Sequence, residues 1–433
     1  MRQTVIVLLA ALYVSPLAAA TQKPNIIILF MDDLGYGDVG SYGVKDASTP
    51  NVDRLAQQGT RLTDCYAAAA VCTPTRAAFM TGRYQHRVGL ESVLTPRDVD
   101  KGLSATEPTL PMLLKNAGYA TALIGKWHLG VRPEFSPMKH GFDEFFGFRS
   151  GALDYYSHVN EAGQHDLYEN DRPAKLTGYL TDELARRTIA FIDRHAGEPF
   201  FIDVAFNATH WPFQPPDLAS PPPLPKEKLF VEKWAEEGTR ADYVRMLERA
   251  DRAIGEILAA LERNKLTDNT LVIFTSDNGG EWLSRMGPLF QRKGSLYEGG
   301  IRVPCILRWP GKLKAGTTSA QVAITMDLTA TIVAAAGAKS QQPFDGIDLM
   351  PLLTEGKLLE RTLYWRSPFE DNSEKALRSG KWKWIAMRTL FPGQLFDLEN
   401  DMGERNDLAA EHPELLRRLK EMHGAWEKEV ARK

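Results

Sequence analysis

Through its first three quarters, the chain alternates short apolar, β-branched runs with stretches of helical periodicity. Turn residues bound the apolar runs, which predict strands over 25–31, 120–124, 200–205, 271–275 and 303–307. Helices are predicted over 51–58, 76–81, 110–116, 181–195, 240–263 and 326–336. Such alternation is typical of an α/β fold, so we expect a large mixed, mostly parallel sheet sandwiched by helices.

The pattern changes after about residue 355. Aromatic segments at 363–366 and 381–387 indicate an antiparallel sheet, and 413–430 reads as an amphipathic terminal helix. We therefore predict two domains, a catalytic domain over 21–355 and a small α+β domain over 356–433. The segment 211–226 contains seven prolines and is interpreted as a stiff surface excursion.

The N-terminus has the features of a secretory signal. Arg2 precedes an apolar run over 5–14, and small residues follow at 18–20. This run is shorter than the roughly 20 residues that a membrane-spanning helix needs. We predict a signal peptide over 1–20 and a protein that is exported, periplasmic or secreted, from a bacterium and without a stable membrane anchor.

Charge and cysteine content exclude two further classes of protein. The net charge of the 433 residues is −3, with no block of like charges, so the chain lacks the basic surface of a nucleic-acid binder. Three cysteines, Cys65, Cys72 and Cys305, are too few for a disulfide scaffold. The odd number leaves at least one thiol that needs an explanation.

Oxygen-bearing side chains follow two of the predicted strands. Asp32 and Asp33 come directly after the first strand, and Asp277 and Asn278 come after the strand at 271–275. Ligands of open α/β sheets bind beyond the carboxyl ends of the strands. These oxygens suit Ca²⁺ or Mg²⁺ better than zinc. Taken alone, either group could instead be a helix cap or a turn.

Basic side chains are expected at the same edge of the sheet. Lys126 and His128 follow the second predicted strand, His210 follows the third, and Lys293 lies in a glycine-rich loop. Each could be structural, as a packed histidine or a solvated lysine. Together with the cation ligands, they describe a pocket for a small tetrahedral oxyanion.

Cys72 stands in the run CTPTR, in which Pro74 and Arg76 complete the pattern C-x-P-x-R. Here the chain resembles the type I sulfatases, the arylsulfatase family of the alkaline-phosphatase-like superfamily. The resemblance runs from about residue 23 into the C-terminal domain. It rests on PNIIILFMDDLGYGDVGSYG, TPNVDRLAQQGTRLTDCYAAAAVCTPTRAAFMTGRY, GKWHLG, HGFDEFFGF, FTSDNGG, KGSLYEGGIRVP and LFDLENDMGERNDLA.

The resemblance implies a sulfuric ester hydrolase in which a separate maturase oxidises Cys72 to Cα-formylglycine. It implies that Ca²⁺ is bound by Asp32, Asp33, Asp277, Asn278 and the modified residue 72. Arg76 and Lys126 would hold the hydrated aldehyde, and His128 would be the base for the elimination of sulfate. His210 and Lys293 would bind the sulfate oxygens, with His210 also able to protonate the leaving alcohol. Ser150 would add a hydrogen bond to sulfate.

The segments HGFDEFFGF and GALDYYSH are similar to those of N-acetylgalactosamine sulfatases and bacterial polysaccharide sulfatases, which implies a sulfated sugar as substrate. The residues Tyr155, Tyr156, His158 and Trp211 could line sugar subsites or merely pack their loops. Asn207 begins a glycosylation sequon, which we discount because it adjoins His210. Two other functions stay open, a formylglycine-dependent phosphodiesterase or phosphonate hydrolase, and a catalytically silent sulfated-glycan-binding protein.

Overall fold

The computed structural model describes residues 23–218, 238–368, 373–387 and 393–431. The predicted signal peptide and part of the proline-rich segment lie outside these residues, so both stay predictions. Within the described ranges, no helix is long and apolar enough to cross a membrane.

Ten strands form one large sheet. In chain order they are β1 (Asn25–Met31), β2 (Thr60–Leu62), β4 (Ala120–Lys126), β5 (Glu144–Phe148), β6 (Tyr168–Glu169), β7 (Arg172–Pro173), β8 (Phe200–Ala205), β9 (Thr270–Ser276), β10 (Cys305–Arg308) and β11 (Thr317–Ser319). Their order across the sheet is β11-β2-β10-β9-β1-β8-β4-β5-β6-β7. The five consecutive strands from β9 to β5 are parallel, whereas β10 runs antiparallel to β9. The mixed, mostly parallel sheet that the alternation predicts is confirmed.

Helices cover both faces of this sheet. The described helices are α1 (Pro50–Gln58), α2 (Cys72–Thr81), α3 (Leu110–Asn116), α4 (Leu180–Arg194), α5 (Arg240–Arg263), α6 (Glu298–Ile301), α7 (Thr325–Ala335), α8 (Met350–Glu355) and α9 (Pro413–Val430). Successive side chains of β1 point to opposite faces. Ile27 and Leu29 pack with α1, α4 and α5, whereas Ile26 and Ile28 pack with α2, α3 and α7. This double burial explains why β1 is apolar at nearly every position.

A second, antiparallel sheet follows α8, as the aromatic segments predict. Its strands are β13 (Thr362–Ser367), β14 (Glu374–Ser379), β15 (Trp382–Met387) and β16 (Gln394–Asp397). The remaining short strands, β3 (Cys65–Tyr66) and β12 (Ala323–Ile324), pair with each other. Helix α9 packs on the second sheet through Trp426, in a cluster that includes Trp365 of β13. The predicted domain boundary at residue 355 falls between α8 and β13 and stays a prediction.

A buried charge network joins the second sheet to α6. Lys383 of β15 lies 2.9 Å from Glu298 Oε1 and 2.8 Å from Glu404 Oε1, and the side chains of all three are inaccessible to solvent. Glu298 also contacts Arg302, 3.1 Å away, and accepts a hydrogen bond from Tyr66 Oη at 2.7 Å. Burial would raise the pKa of Glu298, but Lys383 and Arg302 hold that pKa at about 2. We call Glu298, Lys383 and Glu404 the Glu298 network.

Candidate active site

Acidic side chains meet beyond the ends of β1 and β9, because these strands are parallel neighbours. Asp33 adopts a left-handed backbone conformation, with φ of 59°, which an aspartate tolerates better than most residues. Its amide donates to Asp277 Oδ1 at 3.3 Å, and its Oδ1 accepts from Asn278 Nδ2 at 2.7 Å. The turn after β1 is thereby tied to the turn after β9.

The donor set of this cluster fits a hard divalent cation. Carboxylate and amide oxygens are the ligands that Ca²⁺ takes in proteins. Asn278 Oδ1 is buried and has no hydrogen-bond partner in the described part of the chain. Ligand atoms of Asp32, Asp33, Cys72 and His210 all lie within 4.8 Å of one another. A buried acceptor without a donor beside such a cluster is what a cation would satisfy.

Helix α2 places the cysteine and the arginine of the CTPTR run on one face. Cys72 is its first residue, Pro74 lies in its first turn, where proline is tolerated, and Arg76 follows Cys72 by four positions. The Cys72 Sγ lies 3.7 Å from Asp32 Oδ1. Arg76 donates through Nε and Nη2 to Asp277 Oδ2, at 3.0 and 2.7 Å. The helix N-terminus, which favours negative charge, therefore faces the acidic cluster.

The encoded thiol of Cys72 is poorly suited to act by itself. The side chain is buried, at 1% exposure, and burial raises its pKa to about 12 although Lys126 and Lys293 oppose this shift. At neutral pH the group is therefore a thiol and not the thiolate that acts as a nucleophile. A different functional group at this position would explain why the helix presents it to the cluster.

Two lysines face the carboxylates. Lys126, the last residue of β4, lies 2.6 Å from Asp32 Oδ2, and Lys293 lies 2.7 Å from Asp33 Oδ2. Burial alone would raise the pKa of Asp33, but Lys293 holds it well below its usual range. Three carboxylates thus face three cations, the two lysines and Arg76. A divalent ion would make the site positive, which favours an anionic substrate.

Both predicted histidines lie close to this cluster. His210 Nδ1 donates to the carbonyl of Trp211 at 2.7 Å, which leaves Nε2 facing Asp33 Oδ2 at 3.6 Å. His128 Nε2 donates to Leu94 O at 2.8 Å, so its Nδ1, buried and without a partner in the described residues, is the nitrogen free to accept a proton. Burial holds the pKa of both rings well below the usual value.

Ser150 differs from the other predicted site residues because its hydrogen bonds are made outside the carboxylate cluster. Its Oγ donates to Ala152 O at 3.0 Å, and its amide donates to Asp166 Oδ2 at 2.8 Å. It lines a cavity that His128 also lines and, in the described ranges, has no direct hydrogen bond to the carboxylate cluster. A role of Ser150 in binding sulfate stays a prediction.

The aromatic residues proposed for sugar subsites divide into two groups. Tyr155 is fully buried, and its hydroxyl donates to the carbonyls of Asn207 and His210, at 2.8 and 3.0 Å. It therefore positions the His210 loop, and the packing interpretation holds for it. His158 is also buried, whereas Tyr156 and Trp211 are half-buried, Trp211 against the His210 ring. Asn207 is buried too, consistent with discounting the sequon.

Sequence reasoning missed several charged residues near the site. Glu281 lies 3.9 Å from Lys293, and Glu161 and Asp166 face the cavity beside His128. The Glu298 network was missed as well, although Glu298 itself lies only five residues beyond Lys293 in the chain. Glu161, Asp166 and Glu281 neither directly follow a predicted strand nor belong to the CTPTR run, so no pattern pointed to them. Glu298 and Glu404 lie in two of the segments that carry the resemblance, but the resemblance gave them no role.

Comparison with known proteins identifies the family of this chain. The sulfatase family model matches residues 24–338, and the model of the C-terminal region of N-sulphoglucosamine sulphohydrolase matches residues 289–429. Human N-acetylgalactosamine-6-sulfatase is 35% identical over an aligned length of 462 residues, and the match covers 93% of this chain and 85% of that protein.

Solved structures show the same fold. Ps i-CgsB aligns with a TM-score of 0.85 at 35% identity, covering 94% of this chain and 93% of that chain, and it has also been solved in complex with k-i-k-neocarrahexaose. BT4656, solved in complex with its substrate D-glucosamine-2-N,6-O-disulfate, aligns with a TM-score of 0.77 at 25% identity, covering 94% and 98%. The chain therefore belongs to the sulfatase family, as a type I sulfatase of the alkaline-phosphatase-like superfamily and an arylsulfatase-type sulfuric ester hydrolase.

Proposed function

We propose that this protein is a formylglycine- and calcium-dependent sulfatase that releases inorganic sulfate from a sulfated carbohydrate. The observation that supports this most directly is the position of Cys72, which starts α2 with its Sγ only 3.7 Å from Asp32 Oδ1 and within the electrostatic influence of Lys126 and Lys293. The relatives support a sugar substrate, since the human relative is named for N-acetylgalactosamine and BT4656 for a disulfated glucosamine.

Two groups would complete the site. Asp32, Asp33, Asp277 and Asn278, with residue 72, would hold Ca²⁺, which supplies Lewis-acid charge beside the reacting sulfur. Formylglycine at residue 72 would supply a hydrated aldehyde, which offers one hydroxyl as the nucleophile toward sulfur and a second hydroxyl for the release of sulfate.

The chain's own residues bind the substrate and move protons. Lys293 and Lys126 present ammonium groups that would bind the sulfate oxygens. His210 would give a proton from Nε2 to the departing alcohol oxygen in its doubly protonated form, which a bound sulfate anion would favour. His128 Nδ1 would take up a proton when sulfate is released. Arg76, held by its two hydrogen bonds to Asp277, offsets negative charge at residue 72.

Conversion of Cys72 is the first testable consequence. Because the folded chain leaves this residue 1% exposed, a maturase has to act before the fold closes. In protein made together with a formylglycine-generating maturase, we expect the peptide that contains Cys72 to lose the mass difference between a thiol and an aldehyde. Peptide mass spectrometry measures this, with the peptide of Cys305 as an internal control. An unchanged thiol in protein that hydrolyses aryl sulfates would contradict the proposal.

The requirement for calcium is the second testable consequence. A chelator is expected to abolish hydrolysis of 4-nitrophenyl sulfate, and added Ca²⁺ should restore it. Replacing Asp33 with asparagine removes one carboxylate ligand and should weaken calcium binding, measured by calorimetry, by about tenfold or more. Asp46→Asn serves as the control, because Asp46 is an exposed aspartate paired with Arg240 and Arg285. Full activity in metal-free protein would rule out the calcium requirement.

A further inference from the structure

A cavity of about 190 Å³ lies beside His128, at the carboxyl ends of β4 and β5. Its wall is built from stretches within 94–99, 128–131, 149–151 and 160–168. The cavity shares His128 with the active site, and His128 in turn is tied to residue 72 through Thr73, whose Oγ1 donates to the His128 carbonyl at 3.1 Å. Its volume equals that of about six water molecules, at roughly 30 Å³ each, so it takes a single sugar ring and not a chain segment.

Two buried carboxyl groups face this cavity. Glu161 is 8% exposed and accepts from Ala152 N at 3.3 Å, and Asp166 is 5% exposed. Among the described residues, neither has a cation within 4.0 Å. Burial raises the pKa of both groups. Each carboxylate accepts one backbone amide hydrogen bond, Asp166 from Ser150 N at 2.8 Å, and its remaining lone pairs can accept from the hydroxyl groups of a ligand.

The basic residues of the cavity wall are already engaged. The Arg149 guanidinium donates to Asp171 Oδ1 at 2.7 Å and lies over the Tyr168 ring, 4.3 Å from its centroid. His165 Nε2 donates to Ala174 O at 2.7 Å. A third carboxylate of the wall, Asp98, is paired with Lys101 at 2.8 Å, so the unpaired acidic charge facing a ligand comes from Glu161 and Asp166.

We propose that this cavity binds the sugar ring of the substrate through hydroxyl hydrogen bonds to Glu161 and Asp166, and that these carboxyl groups exclude a second anionic substituent on that ring. The inference rests on the proposed function, because it takes the ester to be that of a sugar. A second sulfate or a uronate carboxylate would lie beside two buried carboxyl groups, where little solvent screens the repulsion. The chain should therefore prefer monosulfated, otherwise neutral sugars.

The test compares two sugars that differ by one sulfate. Protein that still carries the Cys72 thiol does not turn the sugars over, so calorimetry on it measures the binding of N-acetylgalactosamine 6-sulfate and of the 4,6-disulfate. The second measurement is kcat/KM for the same two sugars with protein whose Cys72 has been converted to formylglycine. We expect the monosulfate to be favoured by about tenfold or more in both measurements. The isosteric substitutions Glu161→Gln and Asp166→Asn should each reduce that ratio by about fivefold.

Glu169→Gln is the matched control. This glutamate lies on β6 close to Asp166, but it is exposed, pairs with Arg187 and does not line the cavity, so its substitution should leave the ratio unchanged. Equal binding of the two sugars, or a ratio that neither cavity substitution changes, would overturn the proposal. Failure of the proposed function would be seen separately, as converted protein that does not hydrolyse 4-nitrophenyl sulfate.

Discussion

Replacing Cys72 with serine is expected to lower kcat for sulfate ester hydrolysis by about 10⁴-fold or more, even in protein made together with a maturase. A serine side chain carries one hydroxyl, so a sulfate ester formed on it has no second hydroxyl to expel sulfate and needs an external water. The measurement is the release of alcohol and of sulfate over time. We expect at most one equivalent of alcohol per chain, followed by arrest.

Cys65→Ala provides the control for this substitution. Cys65 is also buried, but it lies in β3, so its replacement tests whether the loss is specific to residue 72. The Cys65→Ala protein should keep hydrolysing aryl sulfates. Multiple turnovers by the Cys72→Ser protein at a rate close to that of the unaltered protein would mean that the encoded thiol is not the precursor of the nucleophile.

Replacing Lys383 with methionine is expected to lower the free energy of unfolding by about 3–5 kcal/mol, because it leaves two buried carboxyl groups without their shared cation. Lys383 lies 2.9 Å from Glu298 and 2.8 Å from Glu404, with no solvent access to any of the three side chains. The same network fixes α6, at the end of the loop that contains Lys293. Denaturant unfolding measures the first effect, and KM for an aryl sulfate measures any displacement of the loop.

Lys381 offers a matched control two residues away. It precedes β15, is partly exposed and pairs with Asp397 at 2.7 Å. Surface ion pairs contribute little, so Lys381→Met should unfold at the same denaturant concentration as the unaltered protein. If Lys383→Met and Lys381→Met proved equally stable, the Glu298 network would have no role in joining the second sheet to α6.

The sequence pattern predicts the centre of the large sheet better than its edges. The predicted strands at 25–31 and 200–205 coincide with β1 and β8, because a continuous apolar run requires burial on both faces. The direction of β10 was not predictable, since periodicity contains no information on strand polarity. The edge strands β6 and β7 were missed because two residues each are too few to show a period.

The candidate site was predictable where its residues directly follow strands. Asp32 and Asp277 were identified because parallel strands deliver their next residues to one edge of the sheet. Tyr155 illustrates the limit, since its sequence context suited both a sugar subsite and a packing role. Only the fold shows that its hydroxyl reaches the carbonyls of Asn207 and His210. Lys383 and Glu404 depend on the docking of the second sheet, which short-range patterns do not record.

The strand order has a consequence for synthesis of the chain on the ribosome. β1 pairs with β9, and residues that lie opposite each other, such as Asn25 and Thr270, are 245 positions apart in the chain. At translation rates of about 5–20 residues per second, β9 is synthesised roughly 12–50 seconds after the apolar run NIIILFM of β1. Its other neighbour, β8, is complete at residue 205, but until β9 is made one edge of β1 stays unpaired and open to chaperones and to other nascent chains. The yield of folded protein should therefore depend on how fast the ribosome reaches residue 276.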